Sequence, residues 1–193
     1  MNIFYLHPEP KVCAQMHVDK HCIKMILEYA QLLSTAHRVL DGIVTMGTSA
    51  SGRKKNTYRL MDERDTILYS ATHINHPSAV WVRQSKENYL WLHSLLCELS
   101  QEYTYRYGKV HKCEQIGLID ALGKFPNSLK SRGFTEPTPA MPDELKVKGD
   151  SIMSYRNYYI SNKQRMASWS GKVNSRNAPV WFKFIESQND IRV

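Results

Sequence analysis

Seven polar side chains in one stretch of this sequence keep the spacing of a single helix face: His17, His21, Lys24, Glu28, Gln31, Thr35 and Arg38. Separations that alternate between four and three residues stack side chains along one side of a helix. The positions between them are mostly apolar and include Val18, Cys22, Ile23, Met25, Ile26, Leu27, Tyr29, Leu32 and Leu33. A surface helix has a narrower apolar face and a wider polar one. The reversed proportions predict a helix over residues 12–40 that is buried on most sides, with its polar line turned to a cleft. A solvated stripe on an ordinary amphipathic helix is the other reading. Glu28 is the chemically suggestive member. Among apolar neighbours its charged form is disfavoured unless Lys24 or Arg38 offsets the burial. A carboxylate that holds or takes a proton near neutrality suits cleavage of an N-glycosidic bond, by stabilising oxocarbenium character or activating a nucleophile. A structural Glu28–Lys24 pair along the helix surface is the alternative.

The other groups with chemical potential are histidines. Thr72-His73-Ile74-Asn75-His76-Pro77 places two imidazoles and an amide in front of a proline, as an ordered turn, and His7 precedes Pro8 near the start. His17 and His21 have the i,i+4 spacing of a metal-binding pair, which His73 or His76 could complete. Asp19, however, projects away from the stripe. We expect no metal and no cofactor. A metal-dependent hydrolase or nucleotide-modifying enzyme using His17, His21, His73 and His76 is the alternative. The sequence has no Walker loop, dinucleotide fingerprint, nucleophile elbow or His-Glu-x-x-His.

Helices must position these groups. Residues 2–6 read as a short extended start, since Pro8 and Pro10 forbid immediate helix. The helix over 12–40 ends near Gly42, a plausible C-cap. Residues 43–65 carry Gly47, Ser49, Ser51 and Gly52 followed by Arg53, Lys54 and Lys55, which predicts a flexible basic loop. A second long helix is expected over 78–107, with Val82, Tyr89, Leu92, Leu96, Leu99 and Tyr103 as its apolar line and Gly108 closing it. A short helix follows over 114–122. A Pro/Gly/Ser-rich connection over 125–148 should pack along the surface or over a site. A third helix over 150–166 has Asp150 or Ser151 as N-cap. The expected architecture is mainly α, a single compact helical domain over 1–193 built on the two long helices plus shorter C-terminal ones.

The chain has 193 residues, 42% hydrophobic and 23% charged, enough for a real core in a soluble globular protein. It contains no apolar run near the roughly 18 residues a membrane span needs, and no secretion signal is evident. Its four cysteines form no CxxC pair and read as free thiols of a reducing compartment, so a cytoplasmic location is expected. The net charge is +8 and uneven. Residues 151–185 hold Arg156, Lys163, Arg165, Lys172, Arg176 and Lys183 with no acid, interleaved with aromatics that include Trp169 and Trp181. Bases of this kind neutralise phosphates and aromatics stack on nucleobases, so DNA is the expected partner and a membrane is not. The candidate DNA- or base-binding set is His7, Lys24, Arg38, His73, Asn75, His76, Arg83, Lys163, Arg165, Trp169, Trp181 and Lys183. A basic surface over a core of aromatics is the alternative.

Three short motifs carry a resemblance. The first is Asp19-Lys20-His21 followed by Glu28. The second is Leu6-His7-Pro8 with Asn75-His76-Pro77. The third is Pro179-Val180-Trp181-Phe182-Lys183-Phe184. In this order, across most of the chain, they resemble the pyrimidine-dimer DNA glycosylases of the phage endonuclease V type. The wider pattern looks like a tailed-phage branch, which would place the protein in the host cytoplasm. The resemblance implies a compact, mainly helical domain. It also implies attack by the α-amino group of the N-terminal residue on C1′ of a damaged nucleotide, then strand cleavage by β-elimination with an essential glutamate. Carried over, Glu28 is the carboxylate and Met1 bears the nucleophile, with His21 and His17 as neighbouring acid–base groups. Two departures stand out: Met1 is followed by the large Asn2, and the arginines that flank the family's glutamate are Leu27 and Gln31 here. The expected function is therefore a DNA-acting N-glycosylase with possible lyase activity on a damaged or modified pyrimidine. A non-catalytic DNA-binding or phage–host interaction protein on the same fold is the other alternative.

Overall fold

In the computed structural model, which describes residues 1–48, 52 and 54–183, the chain enters through its own core. Residues 3–6 are extended, and all four are buried. Helix α1 (Pro10–Met16) and helix α2 (Asp19–Asp41) follow. The single helix expected over 12–40 is thus two, because His17 and Val18 are both extended. The sequence has neither Gly nor Pro there, and tertiary bonds make the break. The guanidinium of Arg106, anchored on its own helix by Glu102 Oε1 at 2.7 Å, donates to the His17 carbonyl at 2.8 Å, the Gln15 carbonyl at 2.8 Å and Asp19 Oδ1 at 3.0 Å. These bonds hold the end of α1 and the start of α2 at an angle.

The flexible loop expected after α2 is instead an antiparallel hairpin, β1 (Ile43–Thr48) paired with β2 (Lys54–Arg59) from Ile43↔Arg59 to Thr48↔Lys54. Residues 49–51 and 53 lie outside the described residues. Gly42 makes the exit from α2 possible. A Cβ there would stand 2.3 Å from the Arg38 carbonyl oxygen. Arg38 then fastens the hairpin root, donating to the carbonyls of Tyr58, Asp65, Leu68 and Tyr69 and to Asp65 Oδ1.

A short helix α3 (Arg64–Ile67) leads to the Thr72–His76 turn and helix α4 (Pro77–Val82), where Pro77 occupies the first turn and His76 caps the end by accepting from the Ser78 N–H. The helix expected over 78–107 breaks after Val82, and α5 (Lys86–Tyr107) starts anew. Ser85 is the reason: its hydroxyl accepts from the Asn88 N–H at 3.1 Å, a conventional N-cap. Gly108 ends α5 in the left-handed conformation at φ +64°. The 114–122 segment divides into α6 (Lys112–Gln115) and α7 (Leu118–Ala121), separated by Gly117 at φ +72°. Asp150 caps α8 (Ser151–Asn162) through the Met153 N–H, and a 3-10 turn, Gln164–Met166, completes the span expected as one helix.

The architecture is mainly helical, with α2 and α5 packed together and α1, α4 and the shorter helices around them. The 125–148 connection runs along the surface. Thr135 bonds Asn88 and Trp81, Glu87 caps the backbone of Arg132 and Gly133, and the Thr138 carbonyl accepts from Tyr155. Among the described residues no helix is long and apolar enough to cross a membrane. All four cysteines are free, three of them buried.

Candidate functional site

The stripe on α2 does not line a cleft along its whole length. Its N-terminal members are core. His17 is fully buried, and its two ring nitrogens are 2.8 Å from the Cys13 carbonyl oxygen and 2.8 Å from the Tyr29 hydroxyl. His21 stacks on Phe4 at 4.2 Å and lies 2.6 Å from the Tyr159 hydroxyl through Nδ1. Burial lowers both imidazoles, His17 to about 4 and His21 to about 2, with neighbouring positive charge adding to the effect on His21. Both are neutral at pH 7, so neither serves as an imidazolium acid. The far end of the stripe is also closed. Thr35 bonds residue 72, and Arg38 is consumed at the hairpin root.

The middle of the stripe is open, and there the chain's first residue returns. The Met1 α-amino nitrogen is 3.8 Å from Glu28 Oε2, with side-chain exposures of 6% and 13%. Lys24, 70% exposed, closes the other side of the carboxylate at 3.0 Å from Oε1. The extended segment behind Met1 fixes this meeting. The Phe4 N–H donates to the Tyr29 hydroxyl at 3.2 Å, and Tyr29 is the residue after Glu28. Phe4 is held edge-on by Tyr155 and Tyr159, and Arg156 of α8 grips the Leu6 carbonyl at 2.9 Å. A strand pinned at residues 4 and 6 has little freedom left for residue 1.

The Thr72–His76 turn lies near enough for the charges of the pair to act on its last imidazole. Its imidazole at position 76 is held below the ordinary histidine value, first by burial, then by the positive charges of the Met1 amine and His73, against the opposing pull of Glu28. Nδ1 of His76 accepts from the Ser78 N–H at 3.2 Å, so the neutral ring carries its proton on Nε2. His73 adopts φ +48° and is exposed, with Nδ1 2.7 Å from Thr72 Oγ1. Arg83 braces the turn from behind, donating to the Ile74 carbonyl at 2.6 Å and the Ala79 carbonyl at 2.9 Å. Asn75 is exposed beside it.

Comparison with protein-family models, curated proteins and solved structures returns no match. The geometry therefore carries the argument alone.

Of the other candidate residues, several are occupied in holding the fold. Arg38 and Arg83 donate to backbone carbonyls, as above, and are not offered to a phosphate. Trp169 is buried and donates to the Met16 carbonyl at 3.1 Å. Trp181 is half-buried, edge-on to Tyr159, with the Arg156 guanidinium 5.2 Å from its ring centre. His7 accepts from the Glu9 N–H at the entry to α1. Within the basic segment, Arg156 and Arg176 also turn inward, Arg176 forking onto Glu102. Lys163 lies over the Tyr158 ring at 4.6 Å. Arg165 and Lys183 are exposed. Phe184, the last residue of the C-terminal motif, lies outside the described residues. Among the described residues no three His, Cys, Asp or Glu side chains converge as a metal site would require.

Sequence reasoning passed over Tyr29, Tyr159 and Arg106, which position the site from beneath. Tyr29 stood among the apolar residues of its helix, and Tyr159 among the aromatics interleaved with the basic residues of 151–185. The signal for them was the histidines at positions 17 and 21, since a buried imidazole requires hydroxyl or carbonyl partners.

Proposed function

We propose that the protein is a DNA N-glycosylase in which the Met1 α-amine is the nucleophile and Glu28 the carboxylate that serves it. The supporting observation is the sequestered contact of these two groups at the mouth of α2. A surface ion pair needs no buried strand to build it; here the chain threads residues 3–6 through the core and delivers its amine to the one carboxylate in the open part of the stripe.

The chemistry follows from the pair. Glu28 takes a proton from the ammonium, and the free amine attacks C1′ of a nucleotide turned out of the duplex. The C1′–N bond breaks and the base leaves with its electron pair and a proton. Loss of the second amine proton, with opening of the sugar, gives a C1′ Schiff base. Removal of a C2′ proton then expels the 3′-phosphate by β-elimination, and water releases the amine. His76, neutral and with Nε2–H available, can donate to the departing base or to a phosphate oxygen. Lys24 orients the carboxylate and adds positive charge for the backbone. The target is a damaged or modified pyrimidine nucleotide.

The test is borohydride trapping on duplex oligonucleotides with a thymine dimer, an abasic site or a modified pyrimidine, with wild type beside Glu28→Gln. A covalent adduct at Met1, located by mass spectrometry and lost in Glu28→Gln, is the expected result. Base release without an adduct removes Met1 from the reaction. No base release and no adduct on any substrate overturns the proposal, and salt-sensitive DNA binding that survives Glu28→Gln would then favour a binding protein.

A further inference from the structure

The hairpin of β1 and β2 has no role in holding the amine and the carboxylate together, yet its root is fastened as firmly as any element in the molecule. Arg38 binds the Tyr58 carbonyl at 2.9 Å, and buried Leu60 donates its N–H to Asp65 Oδ1 at 3.0 Å. Beyond that root every residue of β1 is exposed. Residues that are paired across an antiparallel ladder share a face. One face therefore carries Tyr58 with Val44, Asn56 with Met46, and Lys54 with Thr48. Met46 is 77% exposed and Val44 53%. Apolar side chains left open on a protruding ribbon are a liability unless something covers them.

The charge says what covers them. Residues 43–60 contain four basic side chains and no acid. The face described above also looks onto the turn that carries His73 and His76. Lys54, Asn56 and Tyr58 line one side of a cleft of about 420 Å³, and Ala71, Thr72, His73 and Ile74 line the other. His73 belongs to both the cleft and the electrostatic surroundings of His76. The cleft thus runs along the ribbon beside the turn that carries His76.

We infer that the hairpin is a nucleic-acid finger, and that the strand flanking the target nucleotide lies in the cleft between β2 and the Thr72–His76 turn. Lys54 meets a phosphate, Asn56 offers an amide to a base edge or sugar, and the Tyr58 ring stacks on a neighbouring base. A two-stranded ribbon is a recognised reader of DNA grooves, and its apolar residues can enter between base steps. The inference rests on the nucleic-acid partner of the reading above, and not on its chemistry.

The test separates the two. Binding of a duplex oligonucleotide with a tetrahydrofuran abasic analogue is measured in the Glu28→Gln background, where no reaction intervenes. Tyr58→Ala should weaken binding roughly tenfold, within the range for loss of one base–aromatic stack. Lys54→Ala changes only an exposed side chain, and should reduce the slope of log affinity against log salt by about 0.9 for one lost phosphate contact. If both variants bind as tightly as their parent with the same salt slope, the finger is refuted, and a protein partner becomes the occupant to seek. If they lose binding while wild type cleaves no substrate, the finger stands and the glycosylase reading falls.

Discussion

Acidification should unfold this protein through three histidines well before its carboxylates are protonated. His17 and His37 are held at about 4 and His21 at about 2, in each case chiefly by burial. Their hydrogen bonds show why a second proton is excluded. Arg64 donates to His37 Nδ1 at 3.0 Å, so a protonated ring would set two cations against each other. Tyr29 accepts the Phe4 N–H and is left to donate to His17 Nε2, so protonation would set two donors face to face. In the unfolded chain all three titrate near 6.5. The folded values are lower, so the native state binds fewer protons than the unfolded one. The stabilisation is full above about pH 6.5 and drains away as the pH falls toward the folded values. At pH 5 each histidine has cost roughly 2 kcal/mol relative to pH 8, and the three together roughly 6. That is comparable to the whole stability of a domain, about 5–15 kcal/mol. Carboxylates held low by their partners, such as Glu102 with Arg176 and Arg106, lose their contribution only at lower pH. Urea unfolding at pH 8, 7, 6 and 5, followed by circular dichroism, reads the effect. His37→Gln should flatten the curve by about 1 kcal/mol between pH 6 and 5. A stability constant to within about 1 kcal/mol from pH 8 to 5 would refute the reasoning, because domain stability cannot then depend on neutral imidazoles.

Three further substitutions probe the elements that place the site. Tyr29→Phe removes the acceptor of the Phe4 N–H and the partner of His17 together; it should cost about 1–3 kcal/mol in urea unfolding and lower the yield of any trapped adduct by freeing the strand that carries Met1. Arg106→Gln leaves Glu102 to Arg176 alone and unties the α1–α2 corner by stripping the donor from the His17 and Gln15 carbonyls; a loss of about 3 kcal/mol is expected by thermal unfolding. Gly42→Ala forces a Cβ against the Arg38 carbonyl oxygen, so the last turn of α2 must shift; hydrogen exchange should show faster exchange at the hairpin root, with the α5 core unchanged.

The two long helices were legible because each has a long, regular apolar period, and α5 lies inside the span it marked while α2 passes its span by one residue. The breaks were not legible from that period. At Ser85 a cap residue interrupts the run without changing its apolar spacing, and at His17–Val18 the cause is Arg106, which lies 89 residues away in sequence. The hairpin was hidden for a different reason. Every residue of β1 is exposed, so no alternation of buried apolar and exposed polar residues marks it. Glycine, serine and a basic run then read as a loop.

The candidate site divides along the same line. Glu28, Lys24 and His76 were found from spacing and residue type, because helix periodicity and a His-Pro turn are local facts. What brings Met1 to Glu28 is not local. It depends on Phe4 and Leu6 being gripped by Tyr29 and by α8, through partners up to 150 residues distant. Sequence also overvalued charge. Arg38, Arg83, Arg156 and Arg176 looked like phosphate ligands, yet each guanidinium donates to a carbonyl or carboxylate of the protein itself. A guanidinium has five donors in a fixed fork, which makes it the natural clamp for converging carbonyls, whereas a lysine ammonium is a flexible point charge. Exposed cations include Lys24, Lys54, Arg165, Lys172 and Lys183, four of the five being lysines. A nucleic acid bound to them would be held by salt-sensitive point contacts, with any discrimination among bases left to Asn56, Tyr58, His73 and His76 on the hairpin and the neighbouring turn.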